Sequence, residues 1–279
     1  MTYSPLLGPV EAPALHVMTF NVRRRMPVML TRPADRWRRR LPRLRALLQA
    51  ERPTVLGVQE ALPDQASAIL DALGPGHRFV GHGRSADASG EGCPLFYDAA
   101  RLDLIDWRQS ALSDTPDEPG STSWGNAIPR VFVQATLRDR TSGATFTAVN
   151  THLDVFSARA RERSARHIRD LVAAQPHPAV VTGDFNAGPT SPAVRALLAG
   201  GALVDAWDAA EQRATPEWGT YAGYRRPRAA RERIDGIAVS PEIQVRVAGV
   251  NDQTVDGGWA SDHLPVQAVL LMPPGEDAR

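Results

Sequence analysis

The chain has 279 residues, of which 43% are hydrophobic and 23% are charged, as in an ordinary globular protein. Its formal net charge of +1 argues against strong non-specific binding of nucleic acid, and no apolar run of about eighteen residues predicts a membrane span. Cys93 is the single cysteine, so no intramolecular disulfide can form and a reducing compartment is expected. The N-terminus carries no recognisable secretion signal, which predicts a cytoplasmic protein.

Apolar, β-prone segments alternate with helical patterns along the chain. In chain order we predict a strand at 15–22, a helix at 37–48, a strand at 55–59, a helix at 65–73 and strands at 78–81, 94–97, 102–107, 131–137 and 145–151. A helix at 158–174, a strand at 179–182, a helix at 192–198 capped by Ser191, and strands at 234–239, 243–250 and 266–271 follow. This order predicts sheets covered by helices, with functional loops at one edge.

The chain shows no fixed-period repeat and no shift of composition that would separate two domains. We therefore predict one domain over residues 15–272, a loose arm rich in proline and glycine at 1–14, and a short tail at 273–279. The arginines at 36–45 are expected to form a solvated face, whereas those at 225–233 flank Asp235 and could hold phosphate groups.

Polar residues that can bind metal or phosphate lie at or near the ends of the apolar strands at six places. They are Asn21; Glu60; Arg130; His152 with Asp154; Asp184 with Asn186; and Asp235 together with the later pair Asp262 and His263. Residues two apart in an extended chain point the same way, so Asp184 and Asn186 can face one pocket. Burying such groups is costly unless they are paired or bind a cation. The donors are mostly oxygens, which favours Mg²⁺ or Mn²⁺ over zinc.

Taken in this order, the motifs resemble those of the endonuclease/exonuclease/phosphatase superfamily over roughly residues 15–272. The loops around Ser123-Trp124-Gly125 and Thr220–Tyr224 resemble those of a little-characterised bacterial branch of the superfamily. The resemblance implies a DNase I-like α/β fold, a four-layer α/β/β/α sandwich of two mostly antiparallel sheets flanked by helices. It also implies a metal-dependent hydrolase that cleaves phosphoester bonds by in-line attack of water.

The same resemblance implies a role for each matching residue. Glu60, Asn21 and Asp262 would form the metal side of the site, while Asp184 would align or deprotonate water. His263 would contact the phosphate, and Asp235 would hold its imidazole. Asn186, Asn21 and His152 would bind substrate, and His152 also stands where enzymes of abasic DNA carry a tyrosine.

Two residues keep two interpretations each. Arg130 could contact phosphate or pair with a carboxylate, and Asp154 could face the pocket or cap the helix that begins near Ala158. The expected partner is a phosphate ester, small or lipid-derived, because the loops at 110–129 and 220–228 are rich in Trp, Tyr and Gly and suit a closed pocket. A nuclease is the alternative; a non-catalytic binding module and a zinc hydrolase are less favoured. Substrate identity, the number of metal ions and the oligomeric state stay open.

Overall fold

A computed structural model of the chain describes residues 3–274. Its strands are β1 (Ala14–Asn21), β2 (Val55–Gln59), β3 (His77–Val80), β4 (Leu95–Asp98), β5 (Leu102–Ala111), β6 (Val131–Asp139), β7 (Thr145–His152), β8 (Ala179–Asp184), β9 (Val204–Asp205), β10 (Gln212–Arg213), β11 (Asp235–Val239), β12 (Gln244–Val250) and β13 (Val266–Leu271). Its helices are α1 (Trp37–Glu51), α2 (Pro63–Leu73), α3 (Ala158–Ala173), α4 (Pro192–Leu198) and α5 (Ala206–Ala209), and short 3₁₀ turns lie at Val28–Leu30, Pro33–Asp35 and Ala199–Gly201.

The strands form two sheets. One has seven strands in the order β10-β12-β13-β1-β2-β4-β3, and the other has six in the order β5-β6-β7-β8-β11-β9. Most neighbours are antiparallel, with parallel pairs at β1/β2, β7/β8 and β10/β12. The sheets pack face to face, α1 and α2 cover the seven-stranded sheet, and α3 and α4 cover the six-stranded one. The predicted four-layer DNase I-like sandwich is thereby confirmed.

The alternation of side chains along each central strand separates the inter-sheet core from the helix-covered faces. In β1, Leu15 and Val17 pack in the inter-sheet core, whereas Met18 and Phe20 pack under α1 and α2. Asn21 lies on the same face as Leu15 and Val17. The period of two therefore brings a polar side chain at the strand end into the space between the sheets.

A buried polar network joins the central strands of the two sheets. The Gln59 amide donates to Thr19 Oγ1 at 3.0 Å and to Asn150 Oδ1 at 2.7 Å, and Thr182 donates to the same oxygen at 3.1 Å. Gly57 leaves room for this contact, because a Cβ at that position would lie 2.1 Å from Thr182 Oγ1. The network fixes the alignment of the two sheets with directional bonds as well as with apolar packing.

The structure departs from the sequence-based expectation in several elements. The short strands β9 and β10 and the one-turn helix α5 were not predicted, and β5 continues to Ala111 through an irregularity between Leu104 and Asp106. The N-cap role of Ser191 is confirmed, since its hydroxyl accepts from the N–H of Val194 at 3.2 Å.

The expectation that all arginines at 36–45 are solvated is wrong for Arg40. Its side chain is fully buried, and it donates to the backbone carbonyls of Val22, Arg23, Asp35 and Ala260. A guanidinium carries five N–H donors in a fixed plane, so one side chain can satisfy carbonyls from several loops at once.

The described part of the predicted N-terminal arm is held against the domain. The buried carboxylate of Glu51 accepts hydrogen bonds from the N–H groups of Leu6, Leu7 and Gly8, and from the hydroxyl of Tyr3. Residues 1–2 and 275–279 lie outside the described range, so the proposed limits of the domain stay a prediction. Among residues 3–274, no helix is both long and apolar enough to cross a membrane.

Candidate active site

The predicted site residues meet at one end of the two packed sheets. Asn21 ends β1, His152 ends β7, Asp184 ends β8 and Asp235 begins β11. Strand pairing places Asp184 opposite both His152 and Asp235. Glu60 follows β2, while Asp262 and His263 lie in the loop before β13. Each sheet thus contributes half of one polar centre.

His263 and Asp235 form a buried pair. Asp235 Oδ2 lies 2.9 Å from His263 Nδ1, so Nδ1 carries the proton and Nε2 is left for a ligand. Burial alone would lower the pKa of His263, but the carboxylates of Asp235 and Asp184 raise it to about 10. The ring is therefore an imidazolium at neutral pH and can donate a charge-assisted hydrogen bond to an anionic oxygen.

Asp184 lies at the centre of the cluster. Its Oδ2 accepts from the Asn21 amide at 2.9 Å and lies 3.6 Å from His152 Nε2 and 3.8 Å from His263 Nδ1. Its Oδ1 accepts from the N–H of Asn186 at 2.9 Å. Burial, together with the carboxylate of Asp235, raises the pKa of Asp184 to about 7. A carboxylate with such a pKa can accept a proton from water near neutral pH.

His152 is held in its neutral form. Burial, and then the nearby Arg130 guanidinium, lower its pKa well below the usual value. The amide nitrogen of Asn186 lies 3.0 Å from His152 Nε2 and 3.0 Å from the carbonyl oxygen of Leu153. Both amide hydrogens of Asn186 are therefore engaged within the protein. A direct bond from Asn186 to a phosphoryl oxygen would have to replace one of them.

Asn21 joins the two halves of the centre. Its amide nitrogen donates to Glu60 Oε1 at 3.0 Å and to Asp184 Oδ2, and its carbonyl oxygen accepts from the N–H of Arg23. Burial opposes ionisation of Glu60, but the hydrogen bonds from the Asn21 amide and from the N–H of Arg24, together with the imidazolium of His263, lower its pKa. Glu60 thus presents a carboxylate to the pocket.

The carboxylates of Glu60 and Asp262 both lie near the guanidinium of Arg23. Arg23 lies 3.8 Å from Glu60 Oε2 and 3.6 Å from Asp262 Oδ2, and its buried Nε has no hydrogen-bond partner among residues 3–274. Burial, with Glu60 nearby, raises the pKa of Asp262. Two carboxylates without a close hydrogen-bonded cation fit a hard divalent ion with oxygen ligands.

A second set of possible metal ligands lies deeper. One ligand atom from each of Asp184, Asp235 and His263 lies within 4.8 Å of the others, and the buried Asp235 Oδ1 has no partner in the part of the chain that the structure describes. A metal bound by His263 Nδ1 would have to break its hydrogen bond to Asp235. Glu60 and Asp262 are consequently the better candidates for the metal side.

The two interpretations of Arg130 are both consistent with its position. Its Nε forms an ion pair with Asp154 Oδ2 at 3.3 Å, while its buried Nη1, beside the pocket, has no partner within the described range. Asp154 Oδ1 accepts from the N–H groups of Phe156 and Ser157, and Ser157 itself caps α3 through the N–H of Ala160. Asp154 therefore orders the turn before α3 without being its N-cap.

These residues open into a cavity of about 560 Å³. The walls also contain residues that were not named as site residues from the sequence: Arg24, Arg84, Ile128, Val155, Phe156 and Tyr221. Of these, Ile128 and Tyr221 lie in the two loops that were expected to enclose a pocket. Arg84 forms an ion pair with Glu91 at 2.5 Å across the loop at 83–92. The glycines of this loop are the feature of the sequence that could have indicated a close approach of backbone there. Trp124 does not line this cavity; it is buried, and its indole N–H bonds Asp114.

Thr220 is a further positioning residue. Its hydroxyl oxygen accepts from the N–H groups of Ile234 and Asp235, both at 3.0 Å, and it is fully buried. This contact fixes the start of β11 and hence Asp235. Cys93 is close to the site but buried, and burial raises the pKa of its thiol to about 12, which excludes a thiolate nucleophile at neutral pH.

Comparison with known proteins is consistent with this geometry. A family model described as the endonuclease/exonuclease/phosphatase family matches residues 18–263. A family protein from Bacteroides thetaiotaomicron is 28% identical and covers 93% of this chain and 95% of its own, with a TM-score of 0.86. A mannosyl-6-phosphatase of that species is 28% identical, with coverages of 92% and 100% and a TM-score of 0.84. The human Nocturnin catalytic domain, 20% identical over 98% of this chain and 100% of its own, shares the fold with a TM-score of 0.72. No curated protein sequence gives a significant match.

Proposed function

The chain belongs to the endonuclease/exonuclease/phosphatase family, whose members are hydrolases of phosphoester bonds, and from this we propose that it hydrolyses a phosphomonoester or phosphodiester with Mg²⁺ or Mn²⁺ as cofactor. The observation that carries the proposal is the buried cluster at the sheet ends. There, Asp184 lies within 4 Å of two histidines and of the Asn21 amide, close to the carboxylate of Glu60.

In this mechanism Asp184 orients water and accepts its proton. The imidazolium of His263 donates from Nε2 to a phosphoryl oxygen, and Asp235 keeps that ring protonated and oriented. His152, held by Asn186, and Arg130 border the phosphate. A divalent ion held by Glu60 and Asp262 would supply neutralisation of the phosphate and of the leaving oxygen. Water attacks in line, without a covalent enzyme intermediate.

A compact substrate, a small or lipid-derived phosphate ester, fits the cavity best. Several of the cationic side chains around it are paired with carboxylates, as in Arg84 with Glu91 and Arg130 with Asp154, which leaves less free charge for a long polyanion. The likeness to a mannosyl-6-phosphatase also supports a compact phosphorylated molecule.

The test is hydrolysis of 4-nitrophenyl phosphate and bis(4-nitrophenyl) phosphate by metal-free protein. We expect activity on at least one ester that requires added Mg²⁺ or Mn²⁺, disappears in EDTA and is lost in Glu60→Gln, because Glu60 supplies a metal oxygen. Zn²⁺ alone should not restore the rate. Full activity in excess chelator, with no metal detected by elemental analysis, would refute the metal-dependent mechanism.

A metal-dependent nuclease is the second candidate. It is favoured by the exposed arginines at 225, 226, 228 and 231, which lie close in sequence to Asp235. Efficient nicking of plasmid DNA at low enzyme concentration, lost in His263→Ala, would support it over hydrolysis of small esters. The cytoplasmic location stays a prediction.

A further inference from the structure

A second cavity of about 200 Å³ lies beside the reaction centre. It is lined by arginines from the loop before β11 and by one from the loop before α1: Arg225, Arg226, Arg228, Arg231 and Arg32. Gly219, Ala222 and Gly223 also line it. We refer to this cavity as the arginine pocket.

The guanidiniums of the arginine pocket differ from those around the reaction centre in their partners. Within residues 3–274, none of the five makes a side-chain hydrogen bond or an ion pair with a carboxylate. Arg24 and Arg84 at the reaction centre both pair with Glu91. Arg233, the next arginine after the pocket residues, is buried and paired with Asp205 and Glu217. Uncompensated positive charge is therefore concentrated on one side of the centre.

Tyr221 connects the two cavities. It lines the arginine pocket and the main cavity, and its ring packs edge-on against His263 with 5.1 Å between ring centroids. The side chain is 47% exposed, so part of its surface is free to contact a ligand. A molecule whose phosphate lies at His263 can cross Tyr221 and reach the arginines without leaving the protein surface.

We propose that the arginine pocket binds a second phosphate of the substrate, which makes the preferred substrate a compact molecule with two phosphate groups, one cleaved and one anchored. This inference rests on the proposed phosphoester hydrolysis at His263. Guanidiniums bind phosphate oxygens in bidentate fashion and stay charged at every physiological pH, so an unpaired cluster of them is suited to a dianion.

The charge distribution favours a small bisphosphate over a nucleic acid. A polynucleotide that passes through the centre places phosphates on both sides of the cleaved bond. Here the arginines without an ion pair among the described residues lie beyond Tyr221, whereas Arg84 and Arg130 in the wall of the main cavity are paired with Glu91 and Asp154. The volume of the arginine pocket also suits one phosphate and its immediate attachment better than an extended chain.

The test measures binding separately from turnover. In protein carrying His263→Ala, calorimetry in the presence of Mg²⁺ would compare fructose 1,6-bisphosphate with fructose 6-phosphate, and glucose 1,6-bisphosphate with glucose 6-phosphate. In at least one pair, we expect the bisphosphate to bind at least about tenfold more tightly than the monophosphate, a difference that charged hydrogen bonds of ordinary strength would produce. Arg226→Gln/Arg228→Gln should remove that difference.

The matched control is Arg45→Gln/Arg159→Gln, which removes the same charge from exposed positions on α1 and α3. The control should keep the preference for the bisphosphate. Equal affinity for both members of each pair, or equal loss in the control, would overturn the proposal. A different outcome would be binding of a duplex oligonucleotide that requires Arg226 and Arg228 and whose salt dependence corresponds to about four or more phosphate contacts. That result would identify the arginine pocket as a nucleic-acid site.

The proposal and the proposed function fail in different ways. If wild-type protein hydrolyses no phosphoester but the bisphosphate preference and its loss are observed, the arginine pocket stands as a phosphate site and the hydrolase assignment falls. If hydrolysis is observed and no preference is found, only the arginine pocket is refuted.

Discussion

At the scale of single residues, the two neighbouring histidines of the centre differ in protonation because their surroundings differ. His263 faces Asp235 and Asp184 and is held protonated, while His152 faces Arg130 and an amide donor and is held neutral. One ring is prepared to donate to an anion, and the other has its Nε2 lone pair engaged by Asn186. The difference comes from the charges around each ring.

The pair Asp235 and His263 is expected to act as one unit. His263→Ala and Asp184→Ala should each lower kcat by about 10²-fold or more, because each removes a group placed against developing charge. Asp235→Asn should act mainly through His263, so the Asp235→Asn/His263→Ala double variant should be little slower than the slower single variant. The measurement is kcat for all variants, with circular dichroism as the control for folding. Losses that multiply would show that the two residues act independently.

The pKa of His263 predicts the alkaline limb of the pH profile. Since the carboxylates raise its pKa to about 10, the imidazolium is present at lower pH and is lost as pH rises through about 10. The value of kcat/KM should fall over that range. Asp235→Asn removes a carboxylate that raises the pKa, so the limb should move to lower pH in this variant. A limb that stays in place after the substitution would assign it to another group.

At the scale of elements, Arg40 links α1 to the loops that carry Asn21 and Asp262. It donates to the carbonyls of Val22 and Arg23 beside Asn21, and to that of Ala260 beside Asp262. Burial lowers the pKa of Arg40. The hydrogen bonds that its N–H groups donate to the surrounding carbonyl oxygens offset the cost of burying its charge.

Replacing Arg40 should therefore cost stability. Arg40→Met keeps much of the side-chain volume but leaves several buried carbonyls without donors, and we expect a loss of about 2–4 kcal/mol in the free energy of unfolding. Arg39→Met, one residue earlier and exposed, is the control and should change stability by no more than about 0.5 kcal/mol. Urea denaturation measures both. Equal effects of the two substitutions would show that the carbonyl contacts contribute nothing.

The sequence was sufficient to predict the long elements and the residues that the strand ends bring together. Asn21, Asp184 and Asp235 follow or begin apolar strands, and the period of two determines which face they occupy. Short elements such as β9 and β10 carry too few residues for any period to emerge. The contacts of Arg40, Tyr221 and Asn186 depend on the paths of loops, which local patterns do not specify.

At the scale of the whole molecule, the near-zero net charge hides an uneven distribution. The formal charge is +1, while the arginine pocket carries five guanidiniums that have no carboxylate partner among residues 3–274. Long-range attraction of a polyanion depends on how far the positive electrostatic potential extends over the protein surface. The arginine pocket is a small patch, so it offers few contacts to a polyanion.

Duplex DNA should consequently bind weakly and with a shallow dependence on salt. Each phosphate contact contributes a slope of about −0.9 in log K against log salt, and we predict no more than about two contacts. Fluorescence anisotropy with a labelled duplex over a range of salt concentrations measures the slope. Tight binding with a slope of several contacts, together with plasmid nicking, would favour the nuclease.

The strand order of the seven-stranded sheet determines when the proposed active site can form during protein synthesis. In the seven-stranded sheet, β13 lies between β1 and β12, so the strand nearest the start of the described residues pairs with the strand nearest their end. His263 and Asp262 immediately precede β13. A growing chain that stops before this strand lacks both residues and leaves an edge of β1 unpaired. The proposed catalytic centre is therefore incomplete until Asp262, His263 and β13 have been synthesised, and a nascent chain that stops before them should not hydrolyse a phosphoester at this centre.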